Sequence, residues 1–179
     1  MTFLSHGSSA ASLYALVTKK KINTFPKLKE LILFFIFGMS PDIPLALLFI
    51  SGQFNPEVHH HHQWITHTPI FWIVIFLVLK FFKFRYAKWL LISTLLHLSM
   101  DWYGAGDGIA FLYPFIKTQY GLALSGIHGK AWLVNYLGNP IFLSLEILVN
   151  ITFLIVLIKS KNWLQSNFRK SRDNLFISM

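Results

Sequence analysis

Apolar residues in this chain come in five runs, at about 3–17, 30–50, 69–82, 86–103 and 140–158. Only the last approaches the ~20 apolar residues that a helix needs to span a bilayer alone. The third has eleven uninterrupted apolar residues, Pro69 to Leu79, and taken alone it fits a buried helix of a soluble protein equally well. The second contains Pro41 and Pro44, which predict a helix, a kink and a second half-helix. No internal repeat or low-complexity linker interrupts the pattern, and the segment expected to be loose is the tail from Ser160 to Met179.

Charge turns these runs into a topology. Fourteen of the sixteen basic residues lie in three zones: five Lys between 19 and 29, four basic residues between 80 and 88, and five beyond 158. Five crossings put all three zones on one side of a membrane, and the positive-inside rule makes that side cytoplasmic. The N-terminus, the connection around 51–68 and the connection 104–139 then face outward. The opening MTFLSHGSSAASLYALVTKKK does not resemble a secretory signal, because its lysines follow the apolar stretch. It is expected to be retained. The fold class expected is all-α, a polytopic integral membrane protein of about five embedded segments, some short or broken. One helical membrane domain covers 1–159, and a basic cytoplasmic tail covers 160–179.

Composition agrees. The chain is 54% hydrophobic and 13% charged, with a mean hydropathy of +0.53, whereas soluble domains carry about a quarter charged residues. The net charge of +9 lies in clusters between apolar runs, which argues for lipid contact and against nucleic acid. There is no cysteine, so any metal must be held by imidazole and carboxylate.

Ionisable groups inside apolar segments are expensive and point to function. Here they are His6, Asp42, His67, His97 with Asp101, and Glu146. His6, Asp42, His67, Asp101 and Glu146 each lie 13 residues from a basic residue bounding their segment (Lys19, Lys29, Lys80, Lys88, Lys159). At 1.5 Å per helical residue, that places them at one depth, ~20 Å from the cytoplasmic ring. Five polar groups at one depth can converge. His97 and Asp101 share one helical face at i and i+4. A His/Asp set without Cys suits Zn²⁺, with Mn²⁺ or Fe²⁺ chemically possible, and a metal with an open position converts bound water into a nucleophile.

These stretches resemble the YdjM-like family of LexA-binding, inner-membrane-associated, metal-dependent hydrolases. The resemblance rests on SHG at 5–7, GMSPDIP at 38–44, HQWITHT at 62–68, HLSMD at 97–101 and GAGDGIAFLYP at 104–114. It implies a metal site of His6, Asp42, His62, His67, His97 and Asp101. Pro44 replaces the second acidic residue of the family's Asp pair, Gln63-Trp64 replaces Arg-Gly, and the Thr after the His-x-x-x-Asp motif is missing.

Each feature also has a simpler explanation. Asp42 can cap the half-helix after Pro41. The Ser- and Gly-rich start around His6 can be a close-packing surface. Glu146 can hydrogen-bond another helix, or serve as a ligand or a carboxylate orienting a histidine. His59, His60 and His61 read as solvated, and Asp107 as a weak candidate base. His128 reads as unremarkable, and Lys117 and Lys130 as headgroup contacts. The function expected is hydrolysis of an ester, phosphoester or amide at an outward-facing divalent-metal site, with Asp42 or Glu146 handling protons. The site's depth suggests a lipid-like or phosphoester substrate. The alternative is a divalent-metal-binding or metal-transport protein without catalysis. A regulatory partner of a repressor is a third possibility, although the cytoplasmic zones show no specific interface.

Overall fold

The computed structural model describes residues 2–22, 26–55, 61–104, 108–121 and 132–177. Its elements are α1 (Phe3–Ile22), α2 (Leu28–Met39), α3 (Ile43–Ile50), α4 (Pro69–Phe81), α5 (Ala87–Gly104), α6 (Trp132–Gly138) and α7 (Pro140–Ile177). Among the described residues the only pairing of extended chain is an isolated antiparallel bridge between Ile109 and Tyr120. The five apolar runs are therefore helical, as their pattern predicts.

The break in the second run follows from proline chemistry. Pro41 has no N–H to continue the helical ladder, so residues 40–42 tighten into a 3₁₀ turn before α3 begins. By length and hydropathy, two stretches among the described residues can cross a membrane: Leu28–Ile50, with its kink, and Pro140–Lys161. Only 17% of the second is buried within the protein, and Leu148 on it is 61% exposed. Water would not tolerate so long an uncovered apolar helix, whereas lipid covers it. The shorter helices α4 and α5 complete the bundle rather than passing that test themselves.

The tail expected to be loose is instead part of α7, which runs unbroken through Lys161 to Ile177. After Pro140 it contains neither proline nor glycine to stop it. At 38 residues it is ~57 Å long, well beyond the hydrocarbon thickness of a bilayer. The short helix α6 lies inside the connection read as 104–139, and its seven residues are too few to carry a periodic pattern.

The core is aromatic. Tyr14 stacks on Phe34 with centroids 3.7 Å apart, and Phe34 meets Phe37, Tyr86 and Trp89 edge-on. Tyr86 also donates to Glu30, and that carboxylate accepts the backbone N–H of Lys27 at the start of α2. Nearer the start of α1, the packing depends on small residues. Gly7 lies under the Phe35 ring. A Cβ on Gly38 would stand 2.4 Å from the backbone oxygen of His6 and 2.7 Å from Ala10 Cβ. The backbones of α1 and α2 touch there, as small residues allow in membrane helices.

This contact reverses the usual effect of a helical glycine. Gly→Ala in an open helix gains about 1 kcal/mol, but Gly38→Ala should cost about 1–3 kcal/mol by overpacking. Its thermal unfolding midpoint in detergent is expected to fall below that of the wild type. An unchanged or higher midpoint would show that the two helices are not held this closely.

Candidate metal centre

Five stretches of chain deliver six polar side chains to one buried place. His6 comes from the second turn of α1, and Asp42 from the kink that Pro41 creates. Asp42 stands at the N-cap of α3 but makes no side-chain capping bond, so its carboxylate faces the histidines. His97 and Asp101 lie one turn apart on α5 and approach to 3.0 Å.

His62 and His67 sit on two short 3₁₀ turns that lead into α4. Several bonds fix this segment. The backbone N–H of His67 donates to Trp64, Trp72 Nε1 donates to the Thr66 carbonyl at 2.7 Å, and Thr68 Oγ1 donates to the Ile65 carbonyl. Thr68 also caps α4, accepting from Phe71, with Pro69 at the first helical position. His67 is thus presented just before a well-capped helix. Its partner His62 accepts Ala110 N–H on its backbone oxygen at 3.2 Å.

Asp101 is the hub. Its Oδ1 lies 3.0 Å from His6 Nε2, and its Oδ2 lies 3.0, 3.7 and 3.8 Å from Nε2 of His97, His67 and His62. Asp42 reaches His67 through Oδ1 at 3.2 Å and His97 through Oδ2 at 3.7 Å. Both carboxylates are buried, as are His6, His67 and His97. His62, with 16% of its side chain exposed, is the most open member.

The donor atoms suit a cation. His97 Nδ1 lies 2.7 Å from the Gly38 carbonyl, which can only accept, so Nδ1 carries the proton. The Nε2 lone pair is thereby turned toward the two carboxylates. It is buried and makes no hydrogen bond despite their closeness. His6 and His97 stack at 3.7 Å between centroids, an arrangement that disfavours two charged imidazoliums. A backbone carbonyl fixing the far nitrogen is also how metal-binding histidines are commonly oriented. The donors form two groups, His6–Asp42–His97 and His62–His67–Asp101, each with ligand atoms within 4.8 Å of one another.

Glu146 does not join them. It accepts from the backbone N–H and the hydroxyl of Thr2, both at 2.6 Å, from the Ser5 hydroxyl, and from the Tyr136 hydroxyl at 2.9 Å. Asn150, one turn further along α7, donates to Ser5 and accepts from Ser8, each at 2.8 Å. This network ties α1 to α7 on the residue next to His6. Thr2, Ser5, Tyr136 and the Gly38 carbonyl escaped sequence reasoning. Of these, only the spacing of Thr2, Ser5 and Ser8 along one helical face offered a signal. His61 lies on the first 3₁₀ turn and Lys117 is exposed, whereas His59, His60, Asp107, His128 and Lys130 lie outside the described residues.

The fold and the buried cluster define a helical membrane protein with a histidine–aspartate site. The chain belongs to the YdjM inner membrane protein family, whose model matches residues 1–165. No curated protein and no solved structure gives a match.

If Glu146 clamps α1, replacing it should loosen the helix that carries His6. Glu146→Gln keeps the volume but puts an amide donor among hydroxyl and N–H donors, and should cost about 1–3 kcal/mol. Tyr136→Phe, which removes one donor, should cost about 1 kcal/mol. Unfolding midpoints in detergent measure both, and a Glu146→Gln midpoint equal to wild type would contradict the clamp.

Proposed function

We propose that this protein is a membrane-bound, metal-dependent hydrolase. The observation that carries the reading is Asp101: a buried carboxylate ringed by four imidazole nitrogens at 3.0–3.8 Å, contributed by α1, α5 and the two turns before α4. Burying a carboxylate among neutral rings is costly unless positive charge accompanies it, and a divalent ion supplies that charge.

His6, His62, His67, His97, Asp42 and Asp101 would hold the metal. Four imidazoles and two carboxylates favour zinc among the common ions. When bound, such an ion lowers the pKa of a coordinated water and so provides a nucleophile near neutral pH. Asp42, close to both His67 and His97, is the carboxylate placed to take a proton. Glu146, engaged by its four hydrogen bonds, serves to hold α1. With the three basic zones read as cytoplasmic, the site lies in the outer half of the membrane, the N-terminus outside and the C-terminus in the cytoplasm, a reading supported by the positive-inside rule. That depth suits an interfacial, lipid-like ester or phosphoester.

The competing reading is a metal transporter. It needs a polar path continuing from the site, yet on α1 and α2 the chain beyond the site packs into the Tyr14–Phe34–Phe37–Trp89 aromatic cluster. A buried cluster that ends on an apolar floor fits hydrolysis better than a conduit.

Elemental analysis of the purified full chain should find a divalent metal, and His97→Ala and Asp101→Ala should each lose at least half of it. Hydrolysis of a phosphoester lipid analogue should fall in both variants by at least the roughly 100-fold that losing a supporting residue costs. A wild type that binds no zinc, or variants that bind it unchanged, would overturn the reading. Zinc uptake into proteoliposomes that His67→Ala abolishes would favour transport instead.

A further inference from the structure

The metal reading leaves open how many ions the cluster holds. Six donors exceed what one four-coordinate zinc uses. A single six-coordinate ion would be fully enclosed by protein, with no position for water or substrate. The donors instead form two triads, His6–Asp42–His97 and His62–His67–Asp101.

The triads share a carboxylate. Asp101 groups with His62 and His67, but its closest contacts are to the imidazoles of the other triad, 3.0 Å to His6 through Oδ1 and 3.0 Å to His97 through Oδ2. Oδ1 faces only the first triad, through His6, while Oδ2 faces His97 of the first and His67 and His62 of the second, so this one carboxylate reaches donors of both sets, as a ligand shared by two neighbouring cations must. Asp42 repeats it more weakly, with Oδ1 toward His67 and Oδ2 toward His97.

We infer that the cluster is a binuclear centre with Asp101 as the shared ligand, a conclusion that rests on the metal reading above. His6, His97 and Asp42 hold one ion, and His62 and His67 hold the other. The first site is closed by buried side chains from α1, α5 and the α2–α3 kink. The second is built on the turns before α4 and includes the most exposed ligand, His62, so its ion is the more readily exchanged. Two dications against two carboxylates leave two positive charges, which select an anionic group such as a phosphoester over a neutral ester or amide.

The test uses the full chain in detergent, stripped with a chelator and reloaded with Mn²⁺ or Zn²⁺. Metal per protein, measured after gel filtration, should reach two equivalents, and the Mn²⁺ form should give the multiline resonance of a spin-coupled pair. His62→Ala should retain about one equivalent and show the six-line signal of an isolated ion, and His6→Ala should also bind about one. Circular dichroism and gel filtration establish that each variant is folded, and the wild-type stoichiometry and coupling decide the matter even where a variant fails that check. One equivalent and an uncoupled signal in the wild type would overturn the binuclear centre while leaving the hydrolase reading intact. No bound metal would overturn both.

Discussion

A buried carboxylate that must be neutralised governs this molecule. Asp101 is 3% exposed on a helix otherwise occupied with packing. In a low-dielectric interior an uncompensated carboxylate costs several kcal/mol. Around it the chain gathers imidazoles from distant segments: one from α1, another one turn back on α5, and two from the turns before α4. Each of these elements is placed so that a nitrogen reaches Asp101. The α2–α3 kink, bringing Asp42, completes the cluster rather than serving only as a bend.

Bringing α1 into this arrangement requires support on both of its sides. Toward α2 the absence of side chains permits it: Gly38 has no Cβ to strike the His6 backbone, and its carbonyl orients His97 at the same point. Toward α7 hydrogen bonds hold it, with Glu146 and Asn150 engaging Thr2, Ser5 and Ser8. One glycine thus sets both a packing distance and a tautomer, and one glutamate fixes the helix that carries His6. Neither Gly38 nor Glu146 belongs to the two donor groups, yet both determine where donors stand.

What the sequence made legible follows from periodicity. Runs of apolar residues fixed the helices, and Pro41 with Pro44 fixed the break. The i and i+4 spacing of His97 and Asp101 put them on one face, and the even depth of the ionisable residues anticipated that His6, Asp42, His67 and Asp101 would meet. The same depth count also drew in Glu146, because depth is one coordinate and says nothing of the direction a side chain faces around its helix. Glu146 lies at the right level but meets the start of α1. The acceptor role of the Gly38 carbonyl was hidden because every residue has a carbonyl. Tyr136 sits in a helix of seven residues, too short to leave a periodic signature. The length of α7 is not legible in the apolar pattern, because beyond Lys159 the sequence is basic and polar although nothing in it stops a helix.

Access to the cluster follows from what surrounds it. His62 is its open member, and the segment leaving α5 packs beside it. Ala110 N–H bonds the His62 carbonyl, Gln63 bonds Gln119 at 3.2 Å, and Ile109 and Ala110 are fully buried. Gly108, at φ 71°, lies so close to Tyr120 that a Cβ would stand 2.3 Å from its carbonyl carbon, and only glycine closes that loop. Residues 108–121 are therefore joined to the turns bearing His62 and Gln63 by backbone and amide bonds, with Phe115 exposed. Along α1 and α2 the aromatic core lies beneath the cluster. The geometry therefore favours an approach from the side of His62, where residues 108–121 meet the turns before α4.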